Sequence, residues 1–373
     1  MRSLVLAGVI GITLGTYGQW SPLDDGVHNG QIYNMLWHPE EERLYVFGSM
    51  YQAGSADLVV NGTAYWDGQW HPLGEGVNPQ FVGPVPPVYQ GLFYNGDLVV
   101  VGVFDSIGGN RKASRIARWD QNDWYGLDTM PTYTGNTYGL SVVDNELHLH
   151  GSFDTIQGQA VQNWAIWNGS TWRPGDTTGV FDWSTKEAIE YHGELYVGGN
   201  FETMDGRNDL LRKVGDQWVE LGAGLQGDCY VSDLEVYNDL LWVTGYFFAS
   251  AGNAATGIMA WDGDQWINPF PQVQLTNWGR SMTVSNGKLY FVGAISVPGL
   301  PGSFRIGEFD GSTLCIRGGN QIGTTKVVAS PDTLFAKVCI QLGCNELGGP
   351  IVNGIVKMPL DYPPDTCYSI TQG

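Results

Sequence analysis

Strings ending in tryptophan recur along the 373-residue chain at a nearly constant interval: GQW at Trp20, DGQW at Trp70, QNDW at Trp124, GSTW at Trp172, GDQW at Trp218 and GDQW at Trp266. The spacings are 50, 54, 48, 46 and 48 residues, and a further step of 48 lands on Leu314 in FDGSTL, a degenerate copy of the same turn. A second landmark keeps the same period: LYVFG ending at Gly48, LVVVG at Gly102, LHLHG at Gly151, LYVGG at Gly199, LWVTG at Gly245 and LYFVG at Gly293. A seventh copy, LFAKV from Leu334 to Val338, has lost its glycine. Two landmarks in phase exclude coincidence, and each unit must be one supersecondary element stacked on its neighbours.

Each unit reads as four strands. An alternating apolar stretch such as Leu234-Glu235-Val236 or Met282-Thr283-Val284 leads through a polar turn (NGD, HGE, NGK) into the glycine-ending second strand. A variable loop leads to a third strand such as Ala64-Tyr65-Trp66, and Asp-Gly at 67–68, 262–263 and 310–311, with Asn168-Gly169, supplies positive φ for a hairpin into the Trp-bearing fourth strand. Composition agrees. Glycine is 53 of 373 residues, about twice the usual share of roughly 7%. Glycine is costly inside helices, while 43% hydrophobic and 13% aromatic residues exclude disorder. The expected fold is all-β, a seven-bladed β-propeller of four-stranded antiparallel blades over residues 19–360. Gln19 to Leu23 precedes any blade, so it is expected to serve as the fourth strand of the last blade and close the ring. The alternative gives that position to Cys367-Tyr368-Ser369-Ile370.

The glycine-ending second strand, aromatic third strand and fourth-strand Trp resemble the Kelch and galactose-oxidase-like propeller repeats. They are still closer to the WDG repeats of secreted bacterial surface propellers and of Rax2-like proteins. The resemblance covers nearly all of 19–360 and implies a fold; propellers host many unrelated activities. It carries over no copper site, since no Tyr, His and Cys constellation can be matched residue by residue.

Lys+Arg 18 against Asp+Glu 38 leaves a net charge of −20, which repels phosphate backbones and anionic membranes, so nucleic acid and direct membrane insertion are not expected. Arg2 and the apolar run Leu4 to Gly15 read as a signal peptide over 1–18, too short to span a bilayer and implying export. Five cysteines fit an oxidising compartment. Cys229 stands apart, and the favoured pairings are Cys339 with Cys344 across a hairpin and Cys315 with Cys367 pinning the C-terminal tail, 361–373. No zinc-type CxxC pair is present.

The fold itself accounts for the recurrent Trp residues, as inter-blade packing, and for the Asp of each WDG, as a turn residue. His148 and His150 share one strand face and are read as a structural pair. No metal or cofactor is expected. The sequons at Asn61 and Asn168 lie at turns. Residues that break the repeat are more informative. Phe81, Tyr133, Tyr138, Asp182, Trp183, Tyr230, Trp278 and Arg280 fall in connections expected to converge at one mouth of the central channel. Aromatic faces beside carboxylate, amide and guanidinium groups suit sugar stacking or a protein hot spot. The expected function is an exported, non-catalytic binding or scaffolding module at a cell surface or in an envelope assembly, engaging a protein or glycan. The alternative is a carbohydrate-active enzyme, hydrolase or lyase, although no G-x-S-x-G, HExxH or P-loop motif is present.

Overall fold

The computed structural model describes residues 20–56, 58–77, 84–109, 111–113, 115–127, 135–176, 181, 184–202, 208–225, 229–249, 253–271, 273–296, 304–317, 323–340 and 352–370. Every regular element among them is a strand. Among the described residues, seven larger antiparallel sheets follow one another along the chain, six of four strands and one of five, accompanied by three small sheets of two or three strands. The first is typical: Ile32–His38, Arg43–Gly48, Thr63–Trp66 and Trp70–Pro72 pair in chain order. The first strands of the other six are Val88–Tyr94, Gly135–Val143, Ser184–Tyr191, Tyr230–Tyr237, Gln274–Ser285 and Gly323–Ala329.

Local chemistry sets each hairpin. The turns joining first and second strands need positive φ at both central residues, and Asn95 (52°) with Gly96 (86°), or Asn286 (50°) with Gly287 (68°), supply it. The Asp-Gly turns differ from expectation. Glycine alone takes positive φ, 101° at Gly263, while Asp262 uses Oδ1 to accept the N–H groups of Asp264 and Gln265 at 2.8 and 2.7 Å. Those bonds hold the Asp262 carboxyl below its ordinary range. The WDG aspartate is therefore an acceptor that closes a wider turn.

Sheets join through two repeated devices. Near the outside, the fourth-strand Trp donates its indole N–H to the preceding sheet: Trp70 to Leu23 O (3.1 Å), Trp124 to Leu73 O (2.7 Å) and Trp266 to Leu221 O (3.0 Å). In each case the acceptor lies three residues after the preceding repeat's Trp, so the W-x-x-L spacing is a clasp between sheets. At the end of the first strand, Tyr94, Tyr191 and Tyr237 donate their hydroxyls to Asn145 O, Asp239 O and Gly287 O in the next sheet's turn. Buried apolar residues fill the spaces between sheets.

The last sheet takes its fourth strand from the N-terminal region, with Ser21 opposite Lys357 and Pro22 opposite Val356. The C-terminal strand Thr366–Ser369 lies elsewhere, as a fifth strand on the sixth sheet, so the alternative assignment of 367–370 to the last sheet is corrected. A disulfide joins Cys315 to its register partner Cys367. Cys229 is a buried thiol outside the disulfide, with Sγ donating to Asp209 Oδ2. Cys344 and residues 1–19, which carry the expected signal peptide, lie outside the described residues. No helix among the described residues is long and apolar enough to cross a membrane.

Candidate functional site

First strands lie against first strands, sheet to sheet, and the seventh lies against the first. Each is paired on one side only, so its other edge faces the axis. Strict alternation, expected along these strands, is broken in each of the seven sheets by a β-bulge at the same place, and in the sixth the register shifts a second time between Leu275 and Gly279. The recurrent glycine belongs to this device. It faces the residue preceding the bulge, and a Cβ at Gly48, Gly102, Gly151, Gly199 or Gly245 would fall 2.0 to 2.3 Å from a first-strand carbonyl oxygen. A bulge re-aims the side chain of its extra residue and terminates regular pairing. The residues so placed are Tyr33, Tyr89, Tyr138, Lys186, Ser232, Arg280 and Thr325.

Three of these form a column of rings. Tyr33 and Tyr89 meet edge to face with centroids 5.3 Å apart, and Tyr89 and Tyr138 are 5.6 Å apart. Arg115 donates to Asn136 Oδ1 at 3.1 Å, and Asn136 Nδ2 donates to the Tyr138 hydroxyl at 3.2 Å. Burial, and then the neighbouring Tyr33 and Tyr138, push the Tyr89 phenol above its ordinary range, so the ring is neutral. The result is an aromatic platform edged by amide and guanidinium groups.

The remaining sheets present charge. Glu187 Oε2 accepts Leu234 N at 3.0 Å, and Asp233 Oδ2 accepts Met282 N at 2.8 Å and stands 3.8 Å from Lys326 Nζ. Each carboxylate thus satisfies an N–H at the free edge of the next sheet's first strand. Desolvation, followed by repulsion from Asp233, raises the Glu187 carboxyl well above its usual range and brings Glu235 up to about 7. Desolvation also lowers Lys186, and together with Arg280 it brings Lys337 down to about 8. Lys186 nevertheless remains exposed to solvent.

Of the residues expected at the mouth, Tyr138 and Arg280 are bulge residues of this axial wall. Tyr230 lies two residues before its bulge and belongs to a separate stack with Tyr246, centroids 5.9 Å apart, which continues to Phe248. Phe81, Tyr133, Asp182 and Trp183 lie outside the described residues, as does the side chain of Trp278. Sequence reasoning missed Tyr33, Tyr89, Lys186, Asp233 and Lys337. Aligning the first strands on the second-strand glycine would have put Tyr33, Tyr89 and Tyr138 in one column; the bulge hid it by shifting the alternation. His148 and His150 are buried, and His150 is satisfied by Ser141 Oγ (2.8 Å) and Thr185 Oγ1 (3.2 Å), which fits a structural pair. Asn61 donates its side-chain amide to Glu75 O, whereas Asn168 stands exposed in its turn.

No protein-family model matches the sequence, and no curated protein matches it. Among solved structures the chain is similar to the extracellular domain of the putative hybrid two component system BT4673 from B. thetaiotaomicron, at 12% identity and TM-score 0.55, covering 91% of this chain and 39% of that one. It is also similar to a puromycin-hydrolyzing peptidase of Mycobacterium tuberculosis, at 12% identity and TM-score 0.53, covering 93% of this chain and 55% of that one. It therefore spans less than two thirds of either protein. A fainter likeness, 10% identity and TM-score 0.41, is to the β-propeller domain of the Trilobed protease from Pyrococcus furiosus, covering 76% of this chain and 82% of that one. At such identities the likeness concerns the fold alone, and the successive four-stranded antiparallel sheets have the architecture of a β-propeller.

Proposed function

We propose that this chain is an exported, non-catalytic binding module, a seven-bladed propeller closed by its N-terminal strand, that holds a saccharide at the axial mouth. Closure is supported by the clasp from Trp70 to Leu23, by the stacking of Trp37 on Phe335 and by a core cluster that mixes residues of the first and last sheets. The disulfide fits an oxidising compartment, and a place in a cell-surface or envelope assembly follows from export. The observation that carries the binding reading is the Tyr33, Tyr89 and Tyr138 column with Arg115 and Asn136. Sheets four to seven put Lys, Ser, Arg and Thr at the same position, so the fold does not require tyrosine there. Flat rings stack on the apolar faces of sugars, and the amide and guanidinium groups take hydroxyls.

A glycan array with the full chain tests this. Binding to at least one saccharide is expected, weakened at least about tenfold by Tyr89→Ala, in line with roughly 1.4 kcal/mol for one ring. Trp183→Ala and Trp278→Ala test the two tryptophans that the sequence places among the candidate ligand residues. An array without signal, or signal indifferent to the tyrosines, overturns the reading and leaves protein scaffolding. The second reading, a carbohydrate-active enzyme, is favoured by one observation: Glu235, poised near neutrality beside Asp233, has the profile of a general acid. Bond cleavage in a bound saccharide, abolished by Glu235→Gln with binding retained, would replace the binding module with that enzyme.

A further inference from the structure

Cationic side chains are scarce in this chain, 18 against 38 acidic ones, yet Lys186 and Arg280 are bulge residues of the axial wall, Lys326 follows the bulge of the seventh sheet and Lys337 is its register partner. Acidic neighbours share that wall, but their oxygens are engaged. Glu187 and Asp233 each accept a first-strand N–H from the next sheet, and Asp233 also faces Lys326. Among the described residues, Lys186 and Lys337 make no ion pair. Two ammonium groups are thus left without an ion pair in an otherwise acidic protein.

This cationic wall begins where the tyrosine column ends. Gly139 has no side chain, and a Cβ there would fall 2.0 Å from Lys186 O, so the first strands of sheets three and four touch. That contact sets Tyr138 and Lys186, consecutive bulge residues around the axis, next to each other.

We propose that the axial site selects a carboxylated saccharide, a uronate-bearing chain whose rings lie on the tyrosines and whose carboxylate is taken by Lys186, Arg280 and Lys337. This rests on the saccharide reading of the tyrosine column and adds the charge of the sugar. A carboxylate supplies a counter-charge to the two ammonium groups that make no ion pair, through charge-assisted hydrogen bonds. A neutral sugar leaves the ammonium groups desolvated and unpaired, so the wall discriminates against it.

The test is calorimetric titration of the full chain with oligomers of galacturonate, mannuronate and hyaluronan, each beside its carboxyl-reduced, neutral counterpart. At least one acidic oligomer is expected to bind tenfold or more tightly than its neutral partner, with affinity falling as salt rises. Lys186→Met and Lys337→Met should each weaken the acidic ligand about tenfold and leave the neutral one unchanged. Lys186→Arg keeps the charge and should preserve selectivity, and thermal melts check that each variant is folded. Equal binding of acidic and neutral partners, or selectivity indifferent to both lysines, overturns the uronate proposal while the tyrosine platform stands. No binding of any saccharide, acidic or neutral, overturns both.

Discussion

Sheets two and three, and sheets four to six, meet the same requirement at the axis with different chemistry. A first strand with a free edge exposes backbone N–H groups that need acceptors. Between sheets two and three the acceptor is neutral: Gln90 Oε1 takes Leu140 N at 2.9 Å, and Gln90 Nε2 returns a bond to Leu140 O at 3.0 Å. Between sheets three and four, where Gly139 has no side chain, Ser141 Oγ takes Ala188 N at 3.1 Å. From sheet four onward the acceptors are the carboxylates of Glu187 and Asp233. Neutral acceptors leave the neighbouring bulge residues free to be aromatic. Carboxylate acceptors draw lysines around them, and burial moves Glu187, Glu235, Lys186 and Lys337 on this arc out of their usual ranges. One backbone geometry thus supports a stacking surface on one arc and a charged surface on the other.

The difference can be broken first where it is largest. Asp233→Ala strips the acceptor from Met282 N and the counter-charge from Lys326, and should lower unfolding stability by about 3 kcal/mol in urea denaturation. Gln90→Ala should cost about half of that, because only neutral bonds are lost. Equal losses would mean that charge adds nothing to the second arc.

A pH series sharpens the same contrast. The Glu235 carboxyl has its pKa raised from 4.5 to about 7, so between those values the folded chain holds a proton that the unfolded chain releases. Its contribution to stability is present below the unfolded value and is lost as pH climbs from about 4.5 to 7, amounting to roughly 3 kcal/mol at most. Glu187 acts in the same direction, whereas the lowered values of His148 and His150 oppose it. The difference between wild type and Glu235→Gln therefore isolates the one group. That difference should move in favour of the variant from pH 4.5 to 7, and a flat difference in thermal melts would remove Glu235 from the network.

The smallest effect is expected on the other arc. Tyr33 is 37% exposed, and its bulge position tolerates Ser232 and Thr325 in other sheets. Tyr33→Ser should shift stability by no more than about 1 kcal/mol while weakening any stacked ligand. A large loss of stability would make the tyrosines a plug rather than a platform.

Much of this fold could be read from the chain. Trp and Gly spacing marked the repeat, Asn-Gly turns marked the hairpins, and Leu314 was placed correctly as a degenerate Trp, since it is fully buried opposite Phe309. The cysteine pair 315 and 367 was also legible from the clustering of four cysteines near the end. The site was much less so. Tyr138 and Arg280 were picked out because they fall in connections, yet Tyr33, Tyr89 and Lys186 occupy the same bulge and went unnoticed inside apparent strands. A bulge adds one residue without changing composition, and pattern reading along a strand treats it as noise.

What the sequence determined by itself is periodicity: which residues recur, where turns must fall, and therefore how many similar units there are and what each one contains. That follows from local physics, since positive φ, side-chain alternation and hairpin closure act within a few residues. What only the tertiary structure decided is which units touch at the axis. The pairing of Ser21 with Lys357, the fifth strand on sheet six, and the contact that sets Tyr138 beside Lys186 join residues tens to hundreds of positions apart. Their chemistry depends on desolvation and neighbouring charge, which are properties of the assembled wall and of no single repeat.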